Sequence, residues 1–220
     1  MQIQRETGLT YKSALFMMHR IRWAMAPVND AEPKLGTGGG TVEFDETYVG
    51  GRPRRIAMPP KGSLPKGKRF DFSHRKTPVL AGVERGGRVR ARVVGYAKGT
   101  ILQDHVRQMV DTSAHLMTDE YVGYRQVGKE YASHDTVRHS LGEYARGDVT
   151  TNRIEGFFAG LKRQINGTHH AVSKKHLHRY VSEVEFKYNN RHLDDGERTM
   201  RAIRGADHKR LTHKQQTGRA

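Results

Sequence analysis

Three acidic side chains stand where such a group is costly to keep. Asp45 lies in the middle of TVEFDETYVGG, where Val42, Phe44 and Tyr48 alternate with Glu43, Asp45 and Thr47 in the period of a β-strand. Asp119 closes the short strand pattern at the start of HLMTDEYVGY, and Glu155 follows 36 positions later in TTNRIEGFFAGLKR, on the first turn of a helical pattern. Aspartate is a poor strand former, and a carboxylate withdrawn from water needs compensation. Where acids converge from neighbouring strands, a divalent cation with oxygen ligands is the usual source of it. Two such cations roughly 3.5–4 Å apart can activate water, stabilise charge on a phosphodiester and support the leaving alkoxide. Phosphodiester cleavage is therefore the chemistry these residue types could do.

Each acid also has a plainer explanation. Asp45 shares its strand face with Glu43, and that face could point to solvent. Asp119 could be a turn residue. Glu155 sits three residues after Asn152, a good N-cap, which is the spacing of a capping box. The apolar stripe of that helix is Ile154, Phe158, Leu161 and Ile165, which leaves Asn152, Glu155 and Lys162 on another face. Both readings of Glu155 stay open at this level.

The elements that must carry these residues follow from pattern. TGLTYKSALFMMHRIRWAM reads as a basic helix with Ala14, Met17, Met18, Ile21 and Met25 on one stripe, capped by Thr10 and preceded by a turn at Gly8. It reads equally as the second half of a helix-turn-helix, with Lys12, Arg20 and Arg22 facing DNA, or as an amphipathic helix packed on the main domain. In the first case its partner helix is expected before Met1, so the chain reads as truncated at its N-terminus. This helical remnant spans 1–26, a Pro/Gly-rich linker 27–39, a catalytic domain 40–192 with a basic insertion at 52–76, and a basic tail 193–220, low in apolar residues and expected to be disordered in isolation. Within the domain, TPVLAGVERGGRVRARVVG predicts two strands around a turn at Arg85–Gly87, and TILQDHVRQMVDTSA a helix with Ile101, Val106, Met109 and Val110 inward. Residues 152–165 and 173–191 predict two closing helices, the second buried along Leu177, Tyr180, Val184 and Tyr188. Strand with acid, hairpin, helix, strand with acid, helices is the order of an α/β ribonuclease-H-like fold, a mixed sheet flanked by helices.

Composition agrees with a polyanionic partner. The 220 residues hold 39 Lys plus Arg against 23 Asp plus Glu, a formal charge of +16. The chain has no cysteine, which excludes disulfides and thiolate-bound zinc within it. The cluster His169, His170, His176 and His178 reads as surface or phosphate-contacting, because His176 and His178 on one helix cannot share an ion. With no long apolar run and no secretory signal, a cytoplasmic, nucleoid-associated location is expected.

The ordered set of Asp45 in TVEFDETYVGG, Asp119 in LMTDEYVGY and Glu155 with Lys162 in TNRIEGFFAGLKR resembles the DDE transposases of bacterial insertion sequences. The run NGTHHAVSKKHLHRYVSEVEFKYNNR narrows the likeness to insertion-sequence family fifteen-ninety-five, over about residues 8–192. The resemblance implies that Asp45, Asp119 and Glu155 are catalytic and hold two Mg²⁺ or Mn²⁺ ions. It implies contacts of Asn152, Lys162 and Arg163 with DNA, cleavage at the element's ends, transfer of the 3′-hydroxyl to target DNA, and a homodimer or larger assembly on that DNA. The chain departs from the pattern in lacking a cysteine-rich zinc ribbon and in carrying Thr150 where relatives often have histidine. A structure-specific nuclease of the same fold and a silent, transposase-derived DNA-binding protein remain as alternatives.

Overall fold

The computed structural model describes residues 2–27, 32–50, 76–143 and 145–217. Its centre is a sheet of five strands in the order β3-β2-β1-β4-β5, with β1 Thr41–Val49, β2 Thr77–Glu84, β3 Val89–Val93, β4 His115–Asp119 and β5 Ser133–Val137. Strands β1, β2 and β3 pair antiparallel, whereas β4 and β5 run parallel to β1. This is the α/β ribonuclease-H-like mixed sheet that the order of elements predicts. The hairpin turn falls where expected, with Gly86 at φ +74°, a conformation glycine adopts without a Cβ penalty.

Period-two alternation sorts β1 between two cores. Val42 and Phe44 join Leu80 and Leu116 under helices α3 (Gly99–Met109) and α4 (Tyr124–Gly128), through Leu102, Val106, Met109 and Tyr124. On the opposite face Val49, Val79, Ala81 and Val89 meet α5 (Asn152–Arg163) and α6 (Leu177–Asn189), through Ile154, Phe157, Phe158, Leu161 and Val181. Glu43 and Asp45 share the parity of Val49 and so belong to the α5 face. That face is buried at Glu43, which removes the solvent-facing reading. Ile101, expected inward on α3, is partly exposed, and Leu102 takes its place in the core. A small pair, β6 (Ala145–Arg146) with β7 (Val149–Thr150), leads into α5.

The N-terminal region differs from expectation. Thr10 caps α2 (Tyr11–Met25) through the Ser13 N–H, as predicted, but a six-residue helix α1 (Gln2–Thr7) precedes the Gly8 turn within the chain. Helix α2 packs on α6, with Ala14 buried and Met17 and Ile21 exposed. Its buried face includes His19 and Arg22 instead, because α6 offers Glu183 and Tyr180 as partners for them. The segment expected as a linker carries Leu35, wholly buried and bridged to Val110. The basic tail, expected to be disordered in isolation, packs on the rest of the chain over its described part: α7 (Asp195–Arg204) starts on an Asp194 cap, α8 (His213–Thr217) follows, and Ala202 and Leu211 are buried. Between them the Lys209 ammonium donates to the carbonyls of Ala24 (3.1 Å) and Ala26, closing the C-terminus of α2. Apart from Lys76, the basic insertion lies outside the described residues.

Candidate functional site

Strand direction sets where the acids meet. The β1–β4 ladder pairs Thr41 with His115 and Glu43 with Met117, and the same offset carries Asp45 level with Asp119. Asp119 therefore ends β4, and Asp45, midway along β1, stands just past the last paired residues of the parallel ladder; open α/β sheets bind ligands at the carboxyl ends of parallel strands. Asp45 is half-buried, and burial together with the charges of Asp119, Glu46 and Glu155 pushes its carboxyl up to about 8. The opposing influence is a hydrogen bond accepted by its Oδ1 from the Glu46 N–H at 2.7 Å. Asp119 is raised too, by burial, while the Tyr121 N–H, donating at 3.0 Å, and His139 hold it down.

Glu155 is brought to the same edge by α5, yet its side chain is occupied and half exposed. Its Oε1 accepts from the Thr151 hydroxyl at 3.1 Å and lies 3.6 Å from His139 Nε2. Among the described residues no three histidine, aspartate or glutamate side chains already converge on one ion position. The donor set nevertheless suits a hard cation: oxygen ligands, like charges facing one another, and a buried carboxyl whose ionisation is penalised until positive charge arrives.

The capping-box reading fails in its details. Asn152 is the first helical residue, exposed, and its N–H donates to Thr150 Oγ1 at 3.2 Å; the cap position is Thr151, whose side chain bonds no helix amide. The start of α5 is held from the sheet instead. Glu43 Oε2 accepts from the N–H groups of Arg153 (2.8 Å) and Ile154 (3.2 Å). Lys162 and Arg163 are exposed on the last turn of α5, and Lys12 and Arg20 are exposed on α2. Arg22 corrects the expectation for that helix: it is buried, donates to Glu183 Oε2 at 2.7 Å and stacks over Tyr180, so it is committed to packing and does not face DNA.

Three residues at this edge escaped the sequence reading. His139 follows β5 and stands near Glu155, Thr151 and Asp119. Its signal was position, since β5 is parallel to β4 and ends at the same edge. Glu46 accepts from the buried Tyr124 hydroxyl at 2.5 Å, and burial, with Asp119 adding to it, raises its carboxyl above the usual range. Glu43 is the third, and nothing local marked it, because its partners lie 110 and 111 residues away.

The family model of the ISXO2-like transposase domain matches residues 38–189. The chain belongs to that family. The match agrees with the family likeness seen in the sequence and supports a transposase-related function. The family implies DNA as partner and an enzyme of the nuclease or transferase kind. No curated protein matches the chain. No described helix is long and apolar enough to cross a membrane.

Proposed function

We propose that this chain cleaves DNA at insertion-sequence ends and joins the freed 3′-hydroxyl to target DNA, with Asp45, Asp119 and Glu155 as catalytic residues. They would hold two Mg²⁺ or Mn²⁺ ions, which when bound supply water activation and charge stabilisation at the phosphorus. The observation that carries the reading is the β1–β4 offset that sets half-buried Asp45 level with Asp119 at the edge where α5 begins, with the like charges of Asp119 and Glu155 helping burial to raise the Asp45 carboxyl. An acid so penalised, beside the end of β4, supports a functional site over a packing role. Glu155 would complete the set by exchanging its Thr151 bond for the ions, a change open to a half-exposed side chain. Asn152, Lys162, Arg163, Lys12 and Arg20 would grip DNA phosphates, which position the duplex without reading its sequence. Two ends must be held together for joining, so a homodimer or larger assembly on DNA is part of the proposal.

The test is a Mg²⁺-dependent cleavage and strand-transfer assay on supercoiled DNA carrying the element's ends, wild type beside Glu155→Gln. Glutamine can still accept the Thr151 bond, so the variant should melt near wild type and fail to cut. Cutting without joining by wild type would favour the nuclease alternative. DNA binding without cutting by either form would favour a silent DNA-binding protein.

A further inference from the structure

We infer that Glu43 is the positioning residue that fixes Glu155 beside Asp45. Its purpose rests on the transposase reading; its geometry does not. Glu43 is wholly buried on β1, two residues before Asp45 and on the same face. One carboxylate oxygen accepts from the Arg153 and Ile154 amides, the two residues that precede Glu155. The other accepts from Arg85 Nε at 3.0 Å, and Arg85 Nη2 also donates to the Thr150 carbonyl at 3.4 Å, just ahead of α5. Glutamate and arginine thus grip the helix start from β1 and from the β2–β3 turn.

The apolar contacts of α5 cannot set its rotation by themselves. Ile154, Phe157, Phe158 and Leu161 are held by a non-directional force, and a slip of one residue turns a helix by about 100°. Such a turn would carry Glu155 away from the strand ends. Hydrogen bonds from a carboxylate to named amides are directional, and negative charge at a helix N-terminus is favourable. A buried ion pair is often no more stabilising than apolar residues of the same volume, so specification of register is the better account of Glu43 than stability.

The absence of cysteine makes a direct test practical. Spin labels at Tyr96→Cys, in the loop that leaves β3, and Ala159→Cys, both exposed sites outside the acid cluster, would report the distance from that edge of the sheet to α5 by double electron–electron resonance. In the full chain, Glu43→Ala should broaden or shift that distance. Glu43→Gln, which keeps an acceptor for the α5 amides, should stay close to the parent. Alongside, the free Mn²⁺ signal should show affinity reduced about tenfold or more in Glu43→Ala, the usual cost of losing support behind a metal ligand. If the alanine variant does not fold, Glu43→Asp keeps the charge for Arg85 while withdrawing from α5, and should move the labels. Unchanged distances and unchanged Mn²⁺ affinity in a folded variant would overturn the inference. A wild-type chain that takes up no Mn²⁺ would overturn the transposase reading, while the label distances would still decide the role of Glu43.

Discussion

Replacing Asp45 by asparagine should stabilise the metal-free chain, and increasingly so as pH rises. The folded carboxyl is lifted from 3.8 to about 8, so between those values the folded chain keeps a proton that the unfolded chain releases. Stability from this group is therefore greatest below pH 3.8 and declines until the folded value is passed. At 1.36 kcal/mol per pH unit the full interval corresponds to roughly 6 kcal/mol, of which about 4 kcal/mol falls between pH 5 and pH 8. Asparagine has nearly the same shape and no charge, so its contribution is flat. For a chain of this size, about 2–4 °C per kcal/mol makes the melting advantage of Asp45→Asn about 10 °C larger at pH 8 than at pH 5. Differential scanning calorimetry in chelator at the two pH values measures it directly. Mn²⁺ should then narrow the gap at pH 8 by about half, since ligand at about 100 times its dissociation constant adds about 2.7 kcal/mol to wild type and little to the variant. An offset between wild type and Asp45→Asn that is the same at both pH values would refute the reasoning, whatever its size.

Arg22→Ala should lose about 3 kcal/mol or more by calorimetry, because it strips Glu183 of a buried partner, yet leave the salt dependence of DNA binding unchanged. Lys12→Ala and Arg20→Ala should do the reverse, each lowering the slope of log affinity against log salt by about 1 while stability stays within about 0.5 kcal/mol. His19 is buried against His176 and Tyr180, and burial with nearby positive charge lowers it from 6.5 to about 4. Its stabilising effect is present above pH 6.5 and drains away as pH falls toward 4, up to roughly 3 kcal/mol. Denaturant titrations of His19→Gln beside wild type should therefore diverge in that window and run parallel above it.

The order of strands and the three acids were legible because each is a local signal. Alternation marks β1, the double glycine marks the hairpin, and an aspartate inside a strand announces its own cost. What stayed hidden was everything decided at long range. Asn152 followed by Glu155 satisfies the local capping rule, yet the amides it would serve are taken by Glu43 from across the fold. Arg22 sits in a basic run and looks like a DNA contact, but α6 places Glu183 and Tyr180 against it. The tail has too little apolar surface to predict order. It folds because Ala202, Leu211 and Lys209 find α2, a surface its own sequence does not reveal.

Strand β1 ties these observations together. In four consecutive residues it presents Glu43 and Asp45 to the α5 face and Glu46 to the opposite one, each engaged differently. Glu43 is matched by Arg85 and two amides, Glu46 by the Tyr124 hydroxyl, and Asp45 by one amide against three like charges. The first two acids are accounted for by the fold; the third is the one whose charge the fold leaves unbalanced, in a chain that is otherwise +16. If cations are taken up there, the proton on Asp45 must leave as they arrive, so uptake competes with hydrogen ions up to about pH 8. Metal affinity and folding stability are then set by the same carboxyl in opposite senses: rising pH weakens the empty fold and strengthens the loaded one.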